Sequence, residues 1–429
     1  MAASGFVAPT TRAQVTGHRF LVRRVHHGLV FGDTRMIHDP LARRRRALIF
    51  GLVATVLLSL GAGLFALVSP RAQPRDATIL RASSGQLYVR VDDTVHAVNN
   101  LASARLIAGA PDKPAAVSDA ALAGFHHGPT VGIVDAPGFS APSLSDAHWA
   151  LCSGPGADAQ ARTVVRFGQA PVALSESQGI LARAHGTDML ITASGRAIMP
   201  AAHTPQGRAL RRRLGITDAT PLWTPPAAVL SAIVERPALS WPSPLPQVID
   251  TEEESWIAHD NAVRPITRLQ RDLLADLGAP VRVRTPEEMS ALPDLGGDYV
   301  VQLPAQELDF IDPAQSPPCA IDDGSTVGVL DGTDGLSSGV ELPESADGAF
   351  HADAFHSPAD AAGARAVDTG AGIHVIGADG VRHGLPHPED RQVLGLSDPQ
   401  PAPWPVISVL PQGTPLDREH ALRVQVVGS

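Results

Sequence analysis

The chain is almost empty of lysine. Of its 34 basic residues only Lys113 is a lysine, set in "APDKPAA" with no glycine-rich approach. A P-loop needs G-x-x-x-x-G-K-[ST], because the lysine reaches the phosphates and the hydroxyl holds the magnesium ion. Ordinary P-loop nucleotide hydrolysis is therefore excluded. The same scarcity leaves no S-x-x-K site for acyl transfer. Aromatic residues make up 4% of the chain, against 38 prolines and 39 glycines. That balance favours short elements joined by many turns over one large aromatic core.

Metal-binding patterns are equally thin. "DGTDGLSSGVELP" from Asp331 resembles a calcium loop, but its sixth position is Leu336 and its twelfth is Leu342, with Glu341 one place early. His383 with His387, or His351 with Asp353 and His356, have ligand-like spacing. They sit in Gly-, Pro- and Ala-rich stretches, where histidines are usually solvated. His26-His27 and His126-His127 read the same way. No metal, cofactor-binding or catalytic residue is assigned.

What the chain does have is one long apolar run. Ala47 to Val68 carries no charge, and its only polar side chains are Thr55 and Ser59. As a helix it spans roughly 33 Å, close to the ~30 Å hydrocarbon thickness of a bilayer. A secretory signal has an apolar core of only about 7–15 residues ending in a small-x-small site; here 46 residues precede the run, and Phe65-Ala66-Leu67-Val68 offers no such site. A core helix would show a polar face, and this run is apolar all round. The expectation is a retained single-pass anchor.

Charge sets its orientation. Residues 1–46 hold nine arginines against Asp33 and Asp39, a net +7, with Arg43, Arg44, Arg45 and Arg46 flanking the membrane. The whole chain carries −10, which leaves −17 after the first 46 residues. The positive-inside rule then keeps the N-terminus in the cytoplasm and the bulk of the chain in the periplasm. An exported body of that acidity is not a nucleic-acid partner.

The basic stub is patterned. Leu21, Val25 and Leu29 recur at i, i+4, i+8, flanked by Phe20 and Val22, while Arg19, Arg23 and Arg24 widen a basic face. Such a helix lies on acidic lipid or docks on a partner. Phe20, Leu21, Arg23, Arg24, Val25 and Leu29 are its candidate docking residues. Cys152 and Cys319 are the only cysteines, and both follow the anchor. In an oxidising compartment an isolated pair reads as a disulfide, the alternative being two buried thiols. It would close a loop of about 170 residues, worth roughly 5 kcal/mol in the chain-entropy model.

The exported part repeats itself. "DMLITASGRAIMPAA" (188–202) matches "GIHVIGADGVRHGLP" (372–386), each followed by a charged stretch ending in hydrophobic-Gly-hydrophobic, Leu214-Gly215-Ile216 and Leu394-Gly395-Leu396. That triplet is a helix C-cap at glycine. Proline–tryptophan linkers and apolar tails follow both. A further copy begins at Gly85, and "GGDYVVQLPAQELDFI" (296–311) reads as a degraded one. The expected fold is a single N-terminal transmembrane helix plus an α+β extracytoplasmic region, elongated, built from short ββα-type repeats around a central β-rich domain. The units are 1–46 (stub), 47–68 (anchor), and 69–429 (periplasmic). Within the last, 79–142 is the first repeat and 143–184 with 312–345 the disulfide-linked module. The second repeat covers 185–239, a linker and degraded repeat 240–311, and the C-terminal repeat 363–429. "SWPSPLPQVIDTEEE" (240–254) reads as linker, and the 331–363 stretch as a flexible loop.

Several motifs together resemble one family. "QVTGHRFLVRRVHHGLVFGDTRMIHDPLARRRRALIFG", "NNLASARLI", "TPQGRALRRRLGI" and "LPQGTPLD" are similar, in that order, to the signatures of EccB, the membrane-anchored core component of type VII (ESX) secretion systems. The resemblance implies a structural and assembly subunit that anchors and scaffolds the periplasmic part of a protein-export complex. The partners it implies are the motor ATPase EccC, EccD, EccE, the mycosin protease, membrane lipid, and further copies through the periplasmic domains. It also implies that Cys152 and Cys319 are the family's paired cysteines. Some members are described as ATPases, so an ATP hydrolase is one alternative, with ATP as cofactor only in that case; a cell-wall-binding module is the other. The chain is shorter than typical members, and the stretch around 296–311 departs most.

Overall fold

In a computed structural model, residues 11–32, 34–35, 40–68, 77–138, 147–155, 161–296, 301–332, 336, 339–343, 351–358 and 363–425 are described. They form two units, divided between Gln73 and Pro74.

The first unit is helical. Thr11 caps helix Arg12–Phe31 through a reciprocal box with Gln14, and Gly32, in the left-handed region at φ 70°, closes it with its N–H on the Gly28 carbonyl. A second helix, Pro40–Val68, contains the apolar run, and its stretch Ala47–Leu64 is long and apolar enough to cross a membrane. The backbone of Arg43–Arg46 belongs to this helix, but their side chains lie outside the described residues.

The second unit contains four sheets of one design around a seven-stranded sheet. Each of the four starts with a three-stranded antiparallel meander. In chain order these are Ile79–Arg81, Leu87–Val91, Thr94–Val98; then Gln178–Ala184, Thr187–Thr192, Gly195–Ile198; then Gln247–Asp250, Ser255–His259, Ala262–Ile266; and finally Arg365–Asp368, Ile373–Ile376, Arg382–Gly384. A helix follows in each: Leu101–Ala108, Pro205–Arg213, Arg268–Asp276 and Asp390–Leu394. A short strand then returns parallel to the first strand of its own sheet, at Ala115–Ala116, Leu222–Trp223, Val281–Val283 and Gln400–Pro401. On the opposite edge a further segment runs parallel to the third strand, through the bridges Val98–Val131, Arg196–Glu235, Val263–Asp294 and Arg382–Gln412.

Local chemistry explains these elements. Asn100, Thr204 and Thr267 cap the first three helices by accepting an N–H from the first turn. Leu214-Gly215-Ile216 and Leu394-Gly395-Leu396 end theirs as expected, with the Ile216 and Leu396 N–H groups reaching back to the Arg211 and Arg391 carbonyls. Leu277-Gly278-Ala279 does the same for the third helix, with Gly278 at φ 90°.

The seven-stranded sheet has the order Val340–Glu341, Ala354–His356, Ala161–Gly168, His148–Pro155, Pro318–Ile321, Thr326–Val329, Val172–Ala173. Alternation sorts its faces. Trp149, Leu151, Val165 and Phe167 point into the main core, and Trp149 packs on Phe167 at 4.8 Å between ring centres. Ala150, Cys152, Val164 and Cys319 point the other way, onto Leu330 and Leu336.

Six expectations need correction. The unit is not ββα: it has three meander strands and a closing strand, because two strands and a helix leave one sheet edge bare. The stretch 240–254 is not a linker, since Gln247–Asp250 is the first strand of the third sheet. Residues 301–311 form no unit of their own, and Asp309–Phe310 instead extends the second sheet beside Gln178–Gly179. Gln178–Ala184 belongs to that second sheet and not to the central module, while Ala354–His356, within the expected loop, is a strand of the central sheet. Residues 333–335, 337–338, 344–350 and 359–362 of that loop lie outside the described residues. Nor are the units merely strung on proline linkers. Ile79, Val89 and Leu106 of the first share a core with Val375, Leu394 and Leu416 of the fourth. Leu190 and Leu210 of the second share one with Ile257 and Leu273 of the third. Helices Ala227–Ala232 and Trp404–Ile407 lie over the central sheet through Val229, Val406 and Ile407. Strands this short cannot bury both faces alone, so apolar faces meet.

Candidate docking site

The stub helix leaves its apolar stripe bare. Leu21 is 58% exposed, Val25 59% and Leu29 79%, and Phe20 and Val22 are exposed beside them. At 100° per residue, Val15, Leu21, Val22, Val25 and Leu29 fall within about 120° of the helix circumference. Arg12, Arg19 and Arg23 occupy the adjoining arc, and Arg24 lies on the other side of the stripe. An apolar strip, interrupted by Gln14 and His18 near its start and rimmed by fixed cations, fits the groove of a partner or an anionic surface. The sequence reading missed Val30 and Phe31, also exposed, because both fall off the i, i+4 stripe. His27, by contrast, is buried and packs on Phe31 at 5.0 Å between ring centres, so it belongs to the helix's own packing.

Cys152 and Cys319 form a disulfide, both fully buried, between directly opposed positions of neighbouring antiparallel strands. The bond ties the two halves of the central sheet, which the second and third sheets separate in sequence.

Among the described residues, chemistry-bearing groups do not gather elsewhere into a reactive arrangement. Lys113 is exposed in the turn after Leu101–Ala108. Among the described residues no group of three or more His, Cys, Asp or Glu is placed to hold a metal ion. His383 is buried and pairs Nδ1 with the Thr414 carbonyl at 2.8 Å. A cleft of about 700 Å³ lies between Thr192–Gly195 and Val301–Gln306, with Glu176 and Arg236 as its only charged lining residues. It holds no nucleophile–base pair and no lysine. Ion pairs instead lock helices to sheets, strand to strand and helix to helix. Asp188 receives Arg183 at 2.6 Å and Arg211 at 2.5 Å, Asp250 receives Arg271 at 2.6 Å, and Arg213 bridges Asp272 and Asp276 on the neighbouring helix at 3.0 and 2.7 Å. The arginine hydrogen bonds hold the carboxyls of Asp188, Asp250 and Asp276 below the usual range.

Known proteins match along the whole chain. The family described as "Type VII secretion system ESX-1, transport TM domain B" matches residues 7–248 and 245–427. A Mycolicibacterium smegmatis protein named ESX-3 secretion system ATPase EccB3 is 28% identical over 97% of this chain and 90% of its own. ESX-1 secretion system ATPase EccB1 of Mycobacterium tuberculosis is 27% identical over 96% of this chain and 94% of its own. A chain in the structure of an intact ESX-5 inner membrane complex aligns at TM-score 0.68 and 26% identity, covering 99% of this chain and 97% of that one. The structure of an EccB3 dimer from the ESX-3 core complex, at 23% identity and TM-score 0.67 over 81% of this chain and all of that one, shares the fold. With the apolar helix, the paired cysteines and the basic stub in the same chain, these matches place it: the chain belongs to the EccB family of type VII secretion systems.

Proposed function

We propose that this chain is a structural and assembly subunit of a type VII secretion membrane complex. It crosses the inner membrane once through Ala47–Val68, with Arg43–Arg46 and the stub in the cytoplasm and the acidic body in the periplasm. The stub docks on cytoplasmic neighbours through Phe20, Leu21, Arg23, Arg24, Val25 and Leu29. The body scaffolds the periplasmic part, self-associates, and meets EccC, EccD, EccE and the mycosin protease. Its four like sheets are copies of one repeat. The observation that carries this reading is the alignment of nearly the whole chain with a subunit of an ESX-5 inner membrane complex. The net +7 before the apolar helix supports the orientation.

Affinity purification of the tagged full chain from its host membranes tests the proposal. A motor ATPase of the EccC type and EccD should co-elute at fixed ratio. A chain that elutes alone after mild detergent extraction overturns it.

The names of the relatives favour a second reading, ATP hydrolysis. Phosphate release by the purified full chain in detergent, above a heat-inactivated blank, would support that reading. The lone exposed Lys113 supplies no phosphate cradle.

A further inference from the structure

In the second sheet, Arg196 on the third strand lies beside Glu235 of the edge segment that runs parallel to it. The pair is an ion pair at 2.9 Å, and Arg196 Nε also donates to the Ile233 carbonyl at 3.1 Å. The fourth sheet repeats the arrangement with one change. Arg382 stands where Arg196 stands: each sits opposite an isoleucine of the middle strand, Ile376 and Ile191 respectively. Its partner on the parallel edge segment is residue 412, and residue 412 is glutamine. The carboxylate has gone and the arginine has stayed.

The consequence is a buried cation without a counter-charge. Arg382 is only 9% exposed, and no carboxylate among the described residues pairs with it. Its Nε is sealed from solvent and has no hydrogen-bond acceptor. Burial alone lowers the pKa of the guanidinium. Two side chains wall it. The guanidinium lies 5.1 Å from the centre of the Trp404 ring, and His374, two positions before Ile376, stacks on that ring at 5.4 Å and 27°. The Nδ1 of His374 is likewise buried with no partner. Trp404 is 39% exposed, so this cluster reaches the surface.

A buried charge is costly unless paired, and a neighbouring indole offsets only part of the cost. We propose that Arg382, His374 and Trp404 form a carboxylate-binding pocket that receives an acidic side chain of a partner polypeptide. The second sheet shows the chemistry that fits, a glutamate arriving beside the third strand. In the fourth sheet that backbone seat is already taken, because Arg382 donates to the Pro411 carbonyl and Gly413 donates to Arg382. The proposed carboxylate therefore arrives as a side chain from outside this sheet. Arginine and tryptophan are also the side chains that most often anchor protein interfaces.

The test uses the full chain in detergent micelles, titrated with hexaglutamate and, as control, hexaglutamine at fixed ionic strength. The readout is the part of the tryptophan emission that W404F lacks, which keeps binding at the arginine-rich stub out of the signal. Hexaglutamate should give a saturable change and hexaglutamine none. Gln412→Glu supplies from within the carboxylate that the second sheet has, so it should weaken the response at least about tenfold and raise the unfolding midpoint. Arg382→Gln should abolish the response; should that variant not fold, Q412E decides alone, since it keeps Arg382. Equal responses to the two peptides, or wild-type affinity in Q412E, overturn the proposal.

Discussion

Cys152 and Cys319 face each other across neighbouring antiparallel strands although 167 residues separate them in sequence. Everything between them, including the second and third sheets, is a closed loop. Replacing both with alanine should cost about 2–5 kcal/mol, since the unfolded chain regains the freedom of a very long loop. Urea unfolding of the full chain in detergent, oxidised against the double variant, checks this. Equal midpoints would show that the bond adds nothing to the sheet pairing.

The docking stripe makes a separate prediction. Leu21, Val25 and Leu29 are exposed together, and each would contribute roughly 1.5–3 kcal/mol if buried against a partner. L21S/V25S/L29S should therefore release the chain from its complex while the Ala47–Val68 helix keeps it in the membrane fraction. A native gel of extracted membranes reads the outcome, and an intact complex would exclude the stripe as the dock.

Acid should loosen the body at a defined point. Asp188, Asp250 and Asp276 have folded-state pKa values below the ordinary one, owing first to hydrogen bonds from Arg183, Arg271 and Arg213. A depressed carboxyl pKa means that the stabilisation is fully present above the unfolded value, about 3.9, and is lost as pH falls through the folded value. Unfolding midpoints at pH 7 and pH 5 should therefore be similar, and the midpoint at pH 3 clearly lower. Arg271→Gln should shrink the drop. A flat profile down to pH 3 would show these pairs to be energetically idle.

The turn of the central hairpin gives the fourth prediction. Gly324 adopts φ 75° and its carbonyl accepts the Val234 N–H, where helix Ala227–Ala232 meets the sheet; a Cβ there would stand 1.8 Å from the Ala232 carbonyl oxygen. Gly324→Ala combines strain with a backbone clash and should cost about 2 kcal/mol or more. Thermal unfolding measures it, and a shift below one degree would mean that the second sheet can lift off the central one without cost.

Local signals were readable and distant ones were not. The apolar run, the stub stripe and the glycine caps at Gly215 and Gly395 each depend on residues within a turn or two, so sequence alone located them. The third sheet escaped notice because "DTEEE" and the surrounding prolines resemble a linker. Its real signal was Asp260-Asn261, both at positive φ between "SWIAH" and "AVRPI", a two-residue hairpin turn. Closing strands such as Leu222–Trp223 carry no pattern of their own at two residues. The unpaired Arg382 becomes visible only when two sheets are compared position by position, since nothing near it in sequence says that Gln412 sits in a glutamate's place.

The edge strand that completes the first sheet has a consequence for how the body is made. Val131 bridges Val424, and Gln425 donates to the Thr130 and Gly132 carbonyls, the latter contact 293 residues apart in sequence. Leu416 and Ala421 lie in the same core as Ile79 and Val89. The first sheet in the chain is therefore finished by residues among the later ones to be synthesised. During synthesis the core it shares with the fourth sheet cannot close until that sheet has been made. Closure of that shared core is thus set by the length of chain that has been made.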